Sequence, residues 1–129
     1  MDKIADMLVM VKNGSAAKKD VVTSPYSKYK HAIAECLKKN GFLKAVNKKT
    51  GTSGFPVLEL ELVYTSKEPR VKFVKRISKP SRRMYFGTKD IRPVRNGYGL
   101  LVLSTPKGIL DGNSARKEQV GGEALFKIW

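Results

Sequence analysis

Histidine and cysteine occur once each in this chain, as His31 and Cys36. A single cysteine excludes an internal disulfide framework, and one thiol with one imidazole cannot assemble a zinc site from the usual ligand spacings. Cys36 lies on the apolar face of a predicted helix and is expected to be a small core residue. His31, flanked by Lys30 and Ala32 at the start of that helix, has no recognisable partner for acid-base or nucleophilic chemistry, so a helix-face or phosphate-proximal place is expected. There is no long apolar run, no secretory signal pattern and no continuous basic amphipathic helix, so no membrane partner is expected.

The scarcest commodity is negative charge. Against 26 Lys+Arg the chain sets 11 Asp+Glu, a net charge of +15 over 129 residues. A fold gains nothing from self-repulsion on this scale, so the excess implies a polyanionic partner, and with the membrane branch weakened nucleic acid leads. Hydrophobic residues make up 41%, enough for one ordinary core or two small ones.

Ile4, Met7, Leu8 and Val11 recur at i, i+3, i+4 and i+7, and Asn13-Gly14 offers a stop, so the spacing predicts an amphipathic helix over about residues 2 to 13. A short strand follows near Val21 to Thr23. After Pro25, Ser27 can cap a second helix that turns Tyr29, Ile33, Cys36 and Leu37 inward and ends at Asn40-Gly41. Lys28 and Lys30 stand at its start, where exposed N–H groups and the positive dipole end favour phosphate. Phe42 to Val46 reads as a strand, Asn47 to Gly54 as a turn, and Val57 to Tyr64 as a half-buried strand whose Leu58, Leu60 and Leu62 alternate with Glu59 and Glu61. That acidic face is expected to be turned away from nucleic acid. A third strand, Val71 to Ile77, is expected to complete an αβαββ sandwich, the first domain, residues 1–76.

Residues 77–129 read as a second, mostly β domain with a short helix, which makes the fold class α+β with two small domains. Ser78 to Arg83 is a basic loop leading to Tyr85-Phe86, where alternation assigns Phe86 to the core and leaves Tyr85 as an exposed ring beside Arg82 and Arg83, able to stack under a base. Gly87 to Asn96 reads as a connector with one turn of helix at most. A strand, Leu100 to Leu103, then runs into Ser104-Thr105-Pro106-Lys107-Gly108. Small hydroxyls and a glycine there permit close approach to a sugar or base edge, and Lys107 can neutralise a phosphate. Asp111 or Asn113 is expected to cap a helix over about Asn113 to Val120, with Ser114 standing where a Glu would complete a capping box. Gly121-Gly122 is expected to supply positive φ at the helix exit and a close approach of backbone to RNA, ahead of a strand from Glu123 to Trp129.

The string from Gly97 through Gly108, the Ala115-Arg116-Lys117 triplet and the run Val120 to Trp129 together resemble the C-terminal signature of the bacterial small-subunit ribosomal protein eight family. Ile4 to Gly14, Ser24 to Lys30 and Arg76 to Tyr85 resemble its opening helix, its second-helix start and its mid-chain loop, in order, so the resemblance spans essentially the whole chain. It implies a structural, non-enzymatic constituent of the small ribosomal subunit that binds the central domain of the ribosomal RNA at an irregular stem. It implies contact with an internal loop through Ser104, Thr105, Pro106, Lys107 and Gly108, with Tyr85 and Arg82 beside it and Gly121, Gly122 and Glu123 flanking it. Glu123 would accept from an exocyclic amine or a 2′-hydroxyl, or else orient a neighbouring lysine, the first being favoured. Lys28 and Lys30 would hold the backbone of the adjoining stem.

Neighbouring ribosomal proteins, and the protein's own messenger RNA, are further partners the resemblance implies, with a cytoplasmic location, a monomeric state off the ribosome and no cofactor or metal. Three positions depart from the family pattern: Pro106 replaces a serine and so removes a hydroxyl and an N–H, Ser81 stands where glycine is common, and Phe126 where cysteine is common. A general RNA- or DNA-binding architectural protein shares the charge, but no helix-turn-helix, zinc spacing or basic coiled coil is present. A nucleic-acid-processing enzyme would need clustered carboxylates, and Glu59 and Glu61 stand alone on one strand face.

Overall fold

A computed structural model describes residues 3–51, 54–66, 68–94 and 98–129. Residue 2 of the predicted first helix, Thr52 and Ser53 of the predicted turn, the end of the connector at Asn96, and Gly97 at the head of the C-terminal signature lie outside the described residues. The chain falls into two compact units, residues 3–72 and 73–129, each an antiparallel sheet with helical cover.

In the N-terminal unit, α1 (Lys3–Ala16) buries Ile4, Met7, Leu8 and Val11 as the periodicity predicts. It runs past the expected stop at Asn13-Gly14. Gly14 is buried in the helix, where a Cβ would come within 2.5 Å of Val22 Cγ1, so the glycine lets helix and strand approach instead of ending the helix. The end comes at Lys18, whose φ of 58° allows Lys19 N–H to reach back to Gly14 O at 2.9 Å and Lys18 N–H to Ser15 O at 3.1 Å. Next come β1 (Val21–Pro25), α2 (Lys28–Lys39), β2 (Leu43–Thr50) and β3 (Pro56–Leu62), with β3 between β1 and β2. Ser27 caps α2, its side chain accepting from Lys30 N–H at 3.1 Å. Leu58, Leu60 and Leu62 point into the core, as their alternation requires. A two-residue ladder of β4 (Tyr64–Thr65) and β5 (Glu68–Pro69) follows.

Three further expectations fail in this region: residues 47–50 of the predicted turn are the end of β2, and two others concern Tyr29 and the third strand. Tyr29 is exposed, and the inward position on that turn of α2 is Lys30, 5% exposed. The predicted third strand of the first sheet is absent from it: β6 (Val74–Arg76) pairs with β10 (Gly122–Ile128) of the C-terminal unit, Phe126 opposite Arg76 and Ile128 opposite Val74. The apolar pattern of Val71 to Ile77 is satisfied by a partner some fifty positions downstream, which local spacing does not encode.

The C-terminal unit holds β6, β7 (Tyr85–Phe86), a 3-10 turn at Thr88–Asp90, β8 (Leu100–Thr105), β9 (Gly108–Asp111), α3 (Gly112–Lys117) and β10. The sheet order is β6-β10-β8-β9, and β7 also pairs with β10. β8 is longer than predicted and returns as β9, a hairpin partner absent from the sequence reading. Asp111 is the observed cap of α3, and Ser114, in the place of the missing Glu, donates its hydroxyl back to Asp111 Oδ1 at 2.7 Å. One face of the sheet packs Leu101, Leu103 and Ala124 against Ala115 of α3 and against Ile91 and Val94 of the connector, with Phe86 at the edge.

Candidate nucleic-acid interface

The register of the C-terminal sheet sets Tyr85 opposite Glu123, Glu123 opposite Ser104, and Ser104 opposite Ile109. Directly opposed residues of antiparallel strands project from one face. A single row across four strands therefore carries Tyr85, Glu123, Ser104 and Ile109. Tyr85 is 70% exposed. Ser104 is half-buried, and among the described residues its hydroxyl has no intramolecular hydrogen-bond partner.

Glu123 is engaged within the fold. Its Oε2 accepts from the Ser78 hydroxyl and from Arg83 Nη1 at 3.0 Å. Ser78 is fully buried and its Oγ accepts from Met84 N–H at 3.2 Å, so loop, carboxylate and guanidinium form one bonded chain. These partners tie Glu123 to a basic side chain within the fold, and that side chain is Arg83. The sequence places Arg82 and Arg83 together beside Tyr85, and the resemblance implies the contact at Arg82. Alternation already carries the distinction, because Arg83 and Tyr85 share parity while Arg82 goes with Met84 and Phe86. Ser78 had no such signal.

Pro106 and Lys107 form the two-residue link between β8 and β9, with Thr105 opposite Gly108. Proline's fixed φ suits the first turn position, and Gly108 closes the turn at φ +111°. The Thr105 hydroxyl donates to Gly108 O at 2.8 Å and accepts from Lys107 N–H at 3.2 Å, so it braces the hairpin while Ser104 faces outward. Lys107 Nζ lies 2.9 Å from Glu118 Oε2, both side chains about half-exposed. Donation from Lys107, then its charge, holds the Glu118 carboxyl below the ordinary carboxylate range.

Gly121 and Gly122 do not adopt positive φ; Gln119, at φ 55°, makes the helix exit. Their reason is crowding. A Cβ on Gly121 would collide with the Phe86 carbonyl oxygen, and one on Gly122 with that of Ser104. The close approach that these glycines permit is between the protein's own strands, which draws β7, β10 and β8 into the row.

Of the two lysines of α2, Lys28 is exposed in the first turn. Lys30 turns inward, its ammonium donating to Ser24 Oγ at 3.1 Å. Burial, and next the charge of Lys3, lowers its pKa from the ordinary 10.5, with Asp6 pulling the other way. Among the described residues no group of three or more His, Cys, Asp or Glu gathers where a metal ion could sit, and no helix is long and apolar enough to cross a membrane.

The family model described as Ribosomal protein S8 matches residues 2–129. Among curated proteins, the small ribosomal subunit protein uS8 of Erythrobacter litoralis is 42% identical over 128 residues, covering 99% of this chain and 97% of its own length. The uS8 of Ruegeria pomeroyi is 40% identical over 99% of this chain and 98% of its own, and that of Caulobacter vibrioides 36% over 99% and 97%. The chain belongs to the family of small-subunit ribosomal protein S8, whose members are structural components of the ribosome and not enzymes.

Proposed function

We propose that this protein is a primary binder of the small-subunit ribosomal RNA, seating an irregular stem of the central domain on the Tyr85, Glu123, Ser104 row and stiffening it during subunit assembly in the cytoplasm. The observation that carries this reading is the division of labour in the row. Glu123 is occupied within the fold, as is Thr105 in the turn beside the row, while among the described residues the Ser104 hydroxyl has no partner in the fold and the Tyr85 ring is exposed, with Arg83 held on Glu123. An A-form stem hides its major groove and offers its minor groove, 2′-hydroxyls and any unstacked loop base. Ser104 donates to or accepts from a base edge or 2′-hydroxyl, Tyr85 stacks on a splayed base, and Arg83 and Lys107 neutralise phosphates. Pro106 makes van der Waals contact where a serine would hydrogen-bond.

On this reading the RNA-binding domain is residues 77–129 together with the paired strand β6. The rest of residues 1–76 forms the first domain, which holds the adjoining backbone through Lys28. Neighbouring subunit proteins, and a similar stem in the protein's own messenger, are further partners, and the free protein is monomeric.

The test is a salt-dependent titration against the central-domain stem, the same stem with its internal loop replaced by plain duplex, and a matched DNA. Preference for the native stem by about 4 kcal/mol is expected, the lower end of specific over non-specific binding. Equal affinity for all three ligands with only a steep salt slope overturns the reading in favour of a general polyanion binder.

A further inference from the structure

On the opposite face of the same sheet lies a cleft of about 480 Å³ whose floor is Ile77, Met84 and Phe86 and whose rim is Lys75, Lys79, Arg82 and Lys127. Lys127 is opposed to Leu101, whose side packs on α3, whereas Glu123 is opposed to Ser104; Phe86 alternates with Tyr85 in the same sense. The cleft therefore does not share the Tyr85, Glu123, Ser104 row. Lys75 and Lys127 are register partners on β6 and β10, which brings their Cβ atoms within about 5 Å. Like charges directly opposed destabilise a sheet. Among the described residues, neither ammonium meets a carboxylate. Arg76, beside them, spends Nη1 on the Leu125 carbonyl.

A fold that opposes two lysines over an apolar floor is relieved by an anion with an apolar part. We propose that this cleft is a second RNA site, which takes one unstacked nucleotide, its base on Met84 and Phe86 and its flanking phosphates across Lys75 and Lys127. The volume fits the usual range for a small-molecule pocket, and a thioether and a ring suit a base of any identity. Arg82 belongs to this rim and not to the row around Tyr85. The inference rests on the reading of the chain as an RNA binder and adds to it a second RNA segment on the other side of one sheet.

The probes are a labelled penta-uridylate and an abasic pentanucleotide of equal charge, titrated against the full chain, the Lys75→Ala/Lys127→Ala variant, a charge-matched Lys89→Ala/Lys117→Ala variant, and Tyr85→Ala. Loss of the opposed lysines is expected to weaken penta-uridylate about tenfold and to lower the log–log salt slope by about 1.4, the release expected from two single-strand phosphates. The charge-matched control and Tyr85→Ala change it little. The abasic strand binds at least about fivefold more weakly, from the lost stacking. Equal losses in the two lysine pairs, equal binding of the abasic strand, or equally effective displacement by penta-glutamate each overturn the nucleotide site. Native-stem preference in wild type, retained in Lys75→Ala/Lys127→Ala, reports on the first RNA site separately, so failure of either is seen without the other.

Discussion

The two units solve the same packing problem and leave different residues over. Each is an antiparallel sheet with helical segments on a face, yet on the polar side of the N-terminal sheet Glu59 is paired from within, Lys49 lying 3.0 Å away. In the C-terminal sheet the one carboxylate of the row holds Arg83, while among the described residues the Ser104 hydroxyl has no partner in the fold and the Tyr85 ring is 70% exposed. A face balanced by its own charges has little to offer a polyanion. A face whose single anion positions a cation has the makings of a binding site.

The sharpest way to break this difference is to destroy the row without removing any side chain from it. Gly122→Ala drives a Cβ into the Ser104 carbonyl, where neither partner is a flexible side chain. Overpacking of this kind is expected to cost about 3 kcal/mol in urea unfolding and to abolish stem preference with it. Gly108→Ala is the comparison, since nothing lies within 4 Å of its Cβ position and only its φ of +111° is strained; about 1 kcal/mol is expected. If Gly122→Ala is as mild as Gly108→Ala, the strands are not locked by that glycine.

Next in size is Tyr85→Ala. With the ring 70% exposed, melting should be unchanged, while stem affinity falls by about 1–3 kcal/mol, the range for one stacked base. Tyr29→Ala, at another exposed ring but in the N-terminal unit, should leave affinity alone. Equal losses from both would erase the distinction between the units.

Why one unit was easier to read than the other has the same physical origin. Helix α2 is written in neighbours, Ser27 at its cap and Ile33 and Leu37 on its buried face. The leucine alternation of β3 is likewise local. In the C-terminal unit the decisive contacts are remote: β6 and β7 both attach to β10 about forty to fifty positions later, and Ser78 reaches Glu123 over a separation of 45. The sequence motif at Ser104 to Gly108 was visible as chemistry, but the division between an outward Ser104 and a Thr105 committed to the turn appears only once Gly108–Asp111 is seen to pair back. The same holds for Gly121 and Gly122, expected at positive φ and found instead where a Cβ would strike the Phe86 and Ser104 carbonyl oxygens.

Lysines test the comparison more gently. Lys30→Met removes a buried ammonium together with its hydrogen bond to Ser24, and is expected to be neutral or stabilising by up to about 1 kcal/mol, with unchanged RNA affinity. Lys28→Ala should leave stability alone and flatten the salt slope by about 0.9, one duplex phosphate. Because the folded pKa of Lys30 is lowered, the cost of its buried charge is fully present below that pKa and is relieved as pH rises through it towards the ordinary 10.5. Wild type should therefore gain stability over that alkaline window relative to Lys30→Met. A parallel pH profile for the two would show that the ammonium is solvated in the fold.

The smallest effect belongs to Lys107 and Glu118, where the site regulates its own charge. The folded pKa of Glu118 is depressed by donation from Lys107, so whatever the pair contributes to stability is complete above the unfolded carboxylate pKa and is lost as pH falls through the folded one. The pair is exposed, and its effect on melting should be barely measurable. Its effect on binding runs the other way. A neutral Glu118 no longer competes for the Lys107 ammonium, which then belongs wholly to a phosphate. Glu118→Gln is therefore expected to raise stem affinity slightly at neutral pH and to steepen the salt slope, and Lys107→Ala to cancel both changes. If Glu118→Gln weakens binding, the carboxylate positions Lys107 for RNA as Glu123 positions Arg83, and the two anions of this unit act alike.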